Sequence, residues 1–112
     1  MIKLNKYLAV YIPSTNYDKP VKPEELKRRV LQVEKMLAKN FGGFTAFEAT
    51  GGWMSGGQVI NEDVLIVKAF YSSEDAKLEE KLNFIFDKVK WFKATWEQEA
   101  ISLEINNELY II

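Results

Sequence analysis

Apolar and polar residues alternate along this chain with two different periods, which predicts four main strands and two helices. The first strand is the β-branched and aromatic run 6–13, and a loop rich in Asn, Asp and Pro follows over 14–22. The first helix is predicted over 23–40, because Pro23 suits a first helical turn and apolar residues then recur at helical spacing: Leu26, Val30, Val33 and Leu37. Gly42-Gly43 is predicted to end this helix.

The second half of the chain continues with two strands, a helix and a closing strand pair. Strands are predicted over 44–50 and 59–71, and a helix over 73–97 is expected to start at a cap formed by Ser72 or Ser73. The apolar stripe of that helix consists of Leu78, Leu82, Ile85, Phe86, Val89, Phe92 and Trp96. A fourth strand is predicted over 100–105, and the turn signal Asn106-Asn107 lets 108–112 fold back as a short fifth strand.

The order β-α-β-β-α-β predicts an α+β, ferredoxin-like fold, with an antiparallel sheet and both helices on one of its faces. We expect residues 1–112 to form a single domain. The first and third strands are apolar on both sides, which indicates that the face away from the helices is covered as well. A homo-oligomer, either a trimer or a dimer, is the simplest cover.

The composition removes several classes of chemistry. The 112 residues include no cysteine and no histidine, which excludes disulfides, thiolate catalysis and the commonest general base. The net charge of -1 gives no field for nucleic acid, and no apolar run reaches membrane-spanning length. We therefore expect a cytoplasmic protein that binds neither nucleic acid nor membrane. No spacing selects a catalytic pair, and we predict neither a metal nor a cofactor.

All six glycines lie in three pairs between Phe41 and Asp63, which predicts a shaped loop. The candidate ligand- or partner-binding residues of this region are Gly51, Gly52, Trp53, Gly56, Gly57, Glu62 and Glu48. Trp53 either stacks on a ligand or partner, or folds back over the sheet edge. Glu62 is either a carboxylate that orients a ligand or a solvated strand end.

The remaining polar features also allow more than one interpretation. The glycine pairs either bare backbone amides to an anion or form a flexible hairpin, and the absence of a Gly-x-x-x-x-Gly-Lys-Ser/Thr motif favours the hairpin. Glu48 is an inward-facing or interface carboxylate, or it faces outward. The basic cluster Lys27-Arg28-Arg29 is predicted to be a solvated helix face.

Several short motifs resemble a group of small proteins carried by plasmids and phages. The shared motifs are Tyr7-Leu-Ala-Val-Tyr-Ile-Pro-Ser14, Phe41-Gly-Gly, Gly52-Trp53, Glu62-Asp63 and the closing Glu104-Ile-Asn-Asn-Glu-Leu-Tyr110. The resemblance implies a mobile-element origin, in which small proteins often bind and disable components of host defence.

A second set of residues is similar to trimeric, ferredoxin-like proteins of the nitrogen-regulatory PII type, and among them to phage S-adenosylmethionine lyases. The matching pieces are Gly51-Gly52-Trp53, where the lyases have tyrosine as the aromatic residue, and the acidic Glu62 at the next strand. In the lyases both pieces lie at a subunit interface.

Two functions are therefore predicted. The preferred one is a non-enzymatic binding or regulatory protein that recognises a host protein or small ligand through the glycine-rich Trp53 loop, because the chain lacks the usual catalytic residues. The alternative, implied by the resemblance, is a lyase-like enzyme in which Trp53 and Glu62, with Glu48 as a further candidate, position S-adenosylmethionine at a subunit interface.

Overall fold

The structure is a computed structural model that describes residues 1–112. Its elements in chain order are β1 (Lys6–Pro13), β2 (Thr15–Asn16), β3 (Lys19–Pro20), α1 (Pro23–Phe41), β4 (Thr45–Ser55), β5 (Gln58–Tyr71), α2 (Leu78–Thr95), β6 (Ser102–Ile105) and β7 (Glu108–Ile111). Five strands form one antiparallel sheet in the order β4-β5-β1-β6-β7, and β2 pairs with β3 in a separate small hairpin.

The predicted α+β, ferredoxin-like fold is confirmed. Without the β2–β3 hairpin and the edge strand β7, the element order is β-α-β-β-α-β, and β1 and β5 are the central strands. Alternate residues of β1, namely Leu8, Val10 and Ile12, join one core cluster with residues of both helices, such as Val33 of α1 and Val89 of α2. Both helices therefore cover the same face of the sheet. Neither helix combines the length and apolar character needed to span a membrane.

The sequence predicted the end of α1 correctly but not the start of α2. Gly42 ends α1 with φ +89°, and its N–H donates to the carbonyl of Ala38 at 2.7 Å, as predicted. The predicted cap of α2 is wrong, because α2 begins only at Leu78 and no side chain caps it. The preceding residues bond locally instead: Ser72 Oγ accepts the N–H of Glu74, and Asp75 Oδ1 accepts the N–H of Lys77.

The glycine-rich region forms a long β4–β5 hairpin, which was the favoured interpretation of its glycine pairs, but the strand predicted to end at Thr50 is longer than expected. β4 continues through the second glycine pair to Ser55, and every residue from Gly51 to Ser55 is paired with β5. Only Gly56 and Gly57 form the turn, with φ values of +56° and +79° that suit a two-residue type I′ hairpin. β1 stops at its pair with Val64, so residues 51–62 project beyond the sheet as an arm.

The sheet face away from the helices, called here the open face, carries large side chains that the chain leaves partly exposed. Its apolar residues, each between about one third and three quarters exposed, are Phe47, Trp53, Ile60, Phe70, Leu109 and Ile111. The β6–β7 hairpin extends the edge of the sheet and does not fold over this face. Within the single chain this face is therefore not covered as the sequence predicted.

Candidate functional site

A groove opens where β1 ends, between the β4–β5 arm and the β2–β3 hairpin. It has a volume of about 690 Å³. Its floor is formed by Tyr11, Pro13, Val64 and Ile66, and residues 98–102, which lead into β6, form part of its wall. The gap exists because β1 stops at Pro13 while β5 continues along the arm. We call this space the acidic groove, for the charge described below.

The hairpin register brings Trp53 and Glu62 together on the arm wall of the acidic groove. Gly51 is paired with Glu62, and Trp53 with Ile60, so all four side-chain positions face the same side of the hairpin. Trp53 and Glu62 are diagonal neighbours, about 7 Å apart at their Cβ atoms. Gly51 has no side chain opposite Glu62, so the carboxylate lies beside bare backbone, and the indole of Trp53 is 51% exposed.

All the charged side chains that line the acidic groove are acidic. Asp18, Glu62 and Glu99 line it, and none of its lining residues is basic. Burial raises the pKa of the Glu62 carboxyl above its ordinary value. Three aromatic residues, Tyr11, Tyr17 and Trp53, line the same space. A space that is lined by carboxylates and aromatic faces, and by no lysine or arginine, is complementary to a compact cation.

The β2–β3 hairpin, which the sequence did not predict, forms the wall opposite the arm. At its tip Tyr17 has φ +53°, an uncommon value for a residue with a side chain, and its N–H donates to the carbonyl of Glu97 at 3.1 Å. Glu97 also has φ +53°. Arg29 of α1 fixes the base of the hairpin by donating to the carbonyls of Pro13 and Thr15. These contacts connect the hairpin to α1 and to the end of α2.

A second polar cluster on the open face was also missed by the sequence analysis. Tyr7 and Tyr11 both donate to the Glu104 carboxylate, at 2.5 and 3.0 Å, and the pKa of each phenol is raised. For Tyr7 the first cause is the Glu104 hydrogen bond, and for Tyr11 it is burial. Glu104 lies level with Lys68, six residues along β5 from Glu62 and hence about 20 Å away. The two carboxylates do not form a pair within one chain.

Of the remaining candidate residues, only Gly52 lines this groove, and Glu48, Gly56 and Gly57 lie elsewhere. Glu48 pairs with Leu65 on the helix-facing side, so it lies across the sheet from Trp53 and Glu62 and lines a separate cavity of about 330 Å³ with Asp63. Gly52 lines the acidic groove, whereas Gly56 and Gly57 are at the tip of the arm. No group of three or more acidic side chains converges as a metal site would require.

Comparison with known proteins finds similarity in structure but not in sequence families. No protein-family model and no curated protein matches the chain. The structure is similar to a phage S-adenosylmethionine lyase in complex with S-methyl-5′-thioadenosine, with 19% identity over 100% of this chain and 94% of that chain and a TM-score of 0.61. A phage S-adenosylmethionine lyase in the apo state gives 14% identity, the same coverage and a TM-score of 0.62.

A third similar structure is the periplasmic divalent cation tolerance protein CutA from Archaeoglobus fulgidus, with 13% identity over 89% of this chain and 79% of that chain and a TM-score of 0.54. At these identities the similarity establishes a shared fold. The resemblance to small plasmid and phage proteins stays a prediction.

Proposed function

We propose that this protein binds S-adenosylmethionine in the acidic groove and cleaves it as a lyase. The observation that carries the proposal is that Trp53 and Glu62 lie on one face of a groove that is lined by three carboxylates and by no lysine or arginine. S-adenosylmethionine has a sulfonium cation, which an aromatic face and an ionised carboxylate both attract. Structural similarity to a phage lyase over the whole chain supports the same substrate.

The reaction suits a site that lacks histidine and cysteine. The carboxylate of the substrate attacks its own methylene carbon next to sulfur, a carbon–oxygen bond forms, and the carbon–sulfur bond breaks with its electron pair going to sulfur. The products are a lactone and neutral methylthioadenosine, and no proton moves in this step. The protein has to hold the substrate in the folded, reactive conformation. Trp53 and Glu62 hold the cation, and the neutral thioether product loses that attraction.

Binding is expected to depend on pH through Glu62. The cation favours the ionised carboxylate, so the affinity for S-adenosylmethionine should fall as pH decreases through the pKa of Glu62. Because burial raises that pKa, the loss should begin at a higher pH than for an exposed glutamate. Calorimetric titration between about pH 7 and pH 4 measures this, and Glu62→Gln should flatten the profile and lower the affinity throughout. A wild-type affinity that does not change over this range contradicts the role of Glu62.

The raised pKa of Glu62 also determines whether ionisation of this carboxyl stabilises or destabilises the folded protein. A carboxyl whose pKa is raised by folding contributes stability at low pH that is lost as pH rises through the folded pKa. Ionised Glu62 therefore destabilises the free protein at neutral pH. Glu62→Gln should accordingly raise the melting temperature of the free protein at pH 7 while it weakens the ligand, which distinguishes loss of a binding group from general damage.

We also propose that the protein is a homo-oligomer, a trimer or dimer, that packs through the open face and has the groove at its subunit interface. The support is the set of exposed apolar side chains on that face. Light scattering at about 100 μM should give a multiple of the 13.0 kDa chain mass, and Phe47→Glu should reduce it to a monomer. Leu31→Glu, on the outer side of α1, is the matched control. A monomeric wild type contradicts this assembly.

A non-enzymatic binding function, which the sequence favoured over the lyase, is the second candidate, because the arm presents apolar side chains on both of its faces. Trp53 and Ile60 are on one face, and Met54 and Val59 on the other, all of them exposed. In this function the protein is the product of a mobile element and acts in the cytoplasm against host defence. Its arm recognises a host protein. Trp53→Ala should abolish capture of a host protein from a bacterial lysate, while Phe44→Ala, which removes a similarly exposed aromatic side chain outside the arm, should not. Equal capture by both variants contradicts this function.

A further inference from the structure

A second groove lies on the opposite side of the molecule, in the outer surface of the helix layer between α1 and α2. Its volume is about 710 Å³. Five lysines line it, two from α1 and three from α2 or its start: Lys35, Lys39, Lys77, Lys81 and Lys88. Glu80 is the one acidic residue among them. We call this space the lysine groove.

The α2 wall of the lysine groove continues as a stripe of lysine and aromatic side chains. Lys77, Lys81, Phe84, Lys88 and Trp91 follow one another at spacings of four and three residues, so they share one side of the helix. Phe84 is 47% exposed and Trp91 48% exposed. Phe84 and Trp91 thus place apolar surface between the lysines of the stripe.

The positive charge of the lysine groove is mostly unneutralised within the chain. The ion pairs of the chain involve only Arg28, Arg29 and Lys81, and of these Lys81 alone is in the groove, where it contacts Asp75 at 2.6 Å. The Lys88 ammonium lies 4.5 Å from the centre of the Trp91 ring. With Glu80 and Asp75 subtracted from the five lysines, the local excess is about three positive charges on a chain of net charge -1.

We propose that the lysine groove binds an acidic, amphipathic segment of a partner protein. The carboxylates of the segment meet the lysine rims, and its apolar side chains pack on Phe84, Met36 and the methylene stems of the lysines.

A protein segment fits the groove better than a nucleic acid does. The lining has no arginine, the residue best suited to bidentate phosphate contacts and to stacking on bases. Phe84 and the methylene stems of the lysines also offer apolar surface, which the apolar side chains of an amphipathic segment can cover and a phosphate backbone cannot.

The test uses a fluorescently labelled synthetic peptide of about 16 residues, composed of glutamate, alanine and leucine with the leucines on one helix face, which spans about 24 Å. Fluorescence anisotropy at low salt measures its binding to the full chain. The double variant Lys35→Glu/Lys88→Glu should weaken the peptide at least about tenfold, and so should Phe84→Ser. Lys27→Glu/Lys90→Glu makes the same charge change at two exposed lysines outside the groove and should change the affinity less than about twofold.

Micromolar binding with this pattern of variants, and clearly weaker binding of a labelled oligothymidylate of similar length, supports the proposal. The proposal is overturned if the peptide does not bind below about 1 mM, if the control variant weakens it as much as the groove variant, or if the oligothymidylate binds more tightly. Circular dichroism of each variant checks that the helices are intact. Since none of these residues lines the acidic groove, the result is independent of lyase activity.

Discussion

Replacing Arg29 by alanine is expected to lower the free energy of unfolding by about 3–5 kcal/mol, the largest stability loss predicted for a polar side chain in this protein. Arg29 is the one charged residue that is fully buried, with 0% exposure. Its guanidinium donates to the carbonyls of Pro13 at 2.8 Å and Thr15 at 2.9 Å, and it lies 5.3 Å from the centre of the Trp96 ring. Further acceptors are Glu25, Asn16 and the Trp96 carbonyl.

The loss is large because one side chain joins four parts of the fold. Removing Arg29 leaves the carbonyls of Pro13 and Thr15 without these donors, and it opens a cavity beside Trp96. The β2–β3 hairpin loses its anchor to α1, so ligand affinity in the acidic groove should fall as well. Arg29→Met, which fills the cavity without restoring the donors, should recover only part of the stability.

Arg28→Ala is the matched control for Arg29→Ala. Arg28 is next in sequence and has the same charge, but it is exposed and contacts only Glu25, at 2.8 Å. Its removal should change the free energy of unfolding by less than about 1 kcal/mol. Urea denaturation at pH 7 measures all three variants. Similar midpoints for Arg28→Ala and Arg29→Ala would show that the buried guanidinium does not hold the fold together.

Arg29 is a residue whose burial the sequence did not predict. The cluster Lys27-Arg28-Arg29 was predicted to be a solvated helix face, which is correct for Lys27 and Arg28 and wrong for Arg29. Arg29 lies three residues after Leu26 and four before Val33, so it falls on the apolar stripe of α1. Its partners are the ends of β1, β2 and α2, which the sequence does not show to be close together.

The overall fold was predictable because each long element has a strong apolar period of its own. The arm was not, because the Gly51-Gly52 pair reads locally as a break in the strand. In the structure Gly52 lies within the strand, where little room is left for a side chain: an added Cβ would lie 3.2 Å from Asn61 Oδ1 and 3.3 Å from the Ile60 carbonyl oxygen. A close approach between paired strands depends on the partner strand, so the sequence of β4 alone does not reveal it.

The acidic groove depends on register and on distant segments. The sequence named Trp53 and Glu62 as candidates, but only the pairing of Gly51 with Glu62 places both on one face. A shift of one residue would put them on opposite sides. Glu48 was an equally reasonable candidate by sequence, and the same register places it on the other face. Tyr17 and Glu99 reach the groove from segments more than 30 residues away in the chain.

Replacing Glu62 by glutamine is expected to lower kcat/KM for S-adenosylmethionine by about 30- to 150-fold, which corresponds to about 2–3 kcal/mol for an uncompensated charge contact in a partly buried site. The larger part should appear in KM, because Glu62 attracts the sulfonium of the bound substrate before the bond breaks. Trp53→Ala should act in the same direction, since it removes the aromatic face beside the same cation. Glu48→Gln, across the sheet, is the matched control and should leave the rate unchanged.

The most direct measurement is chromatographic detection of methylthioadenosine and homoserine lactone after purified protein is incubated with S-adenosylmethionine. We expect both products to form in equal amounts, at a rate proportional to protein concentration and strongly reduced in Glu62→Gln. Glu48→Gln should match the wild type. The absence of product above the spontaneous breakdown of S-adenosylmethionine, or equal rates for the wild type and Glu62→Gln, would contradict a lyase that works through the acidic groove.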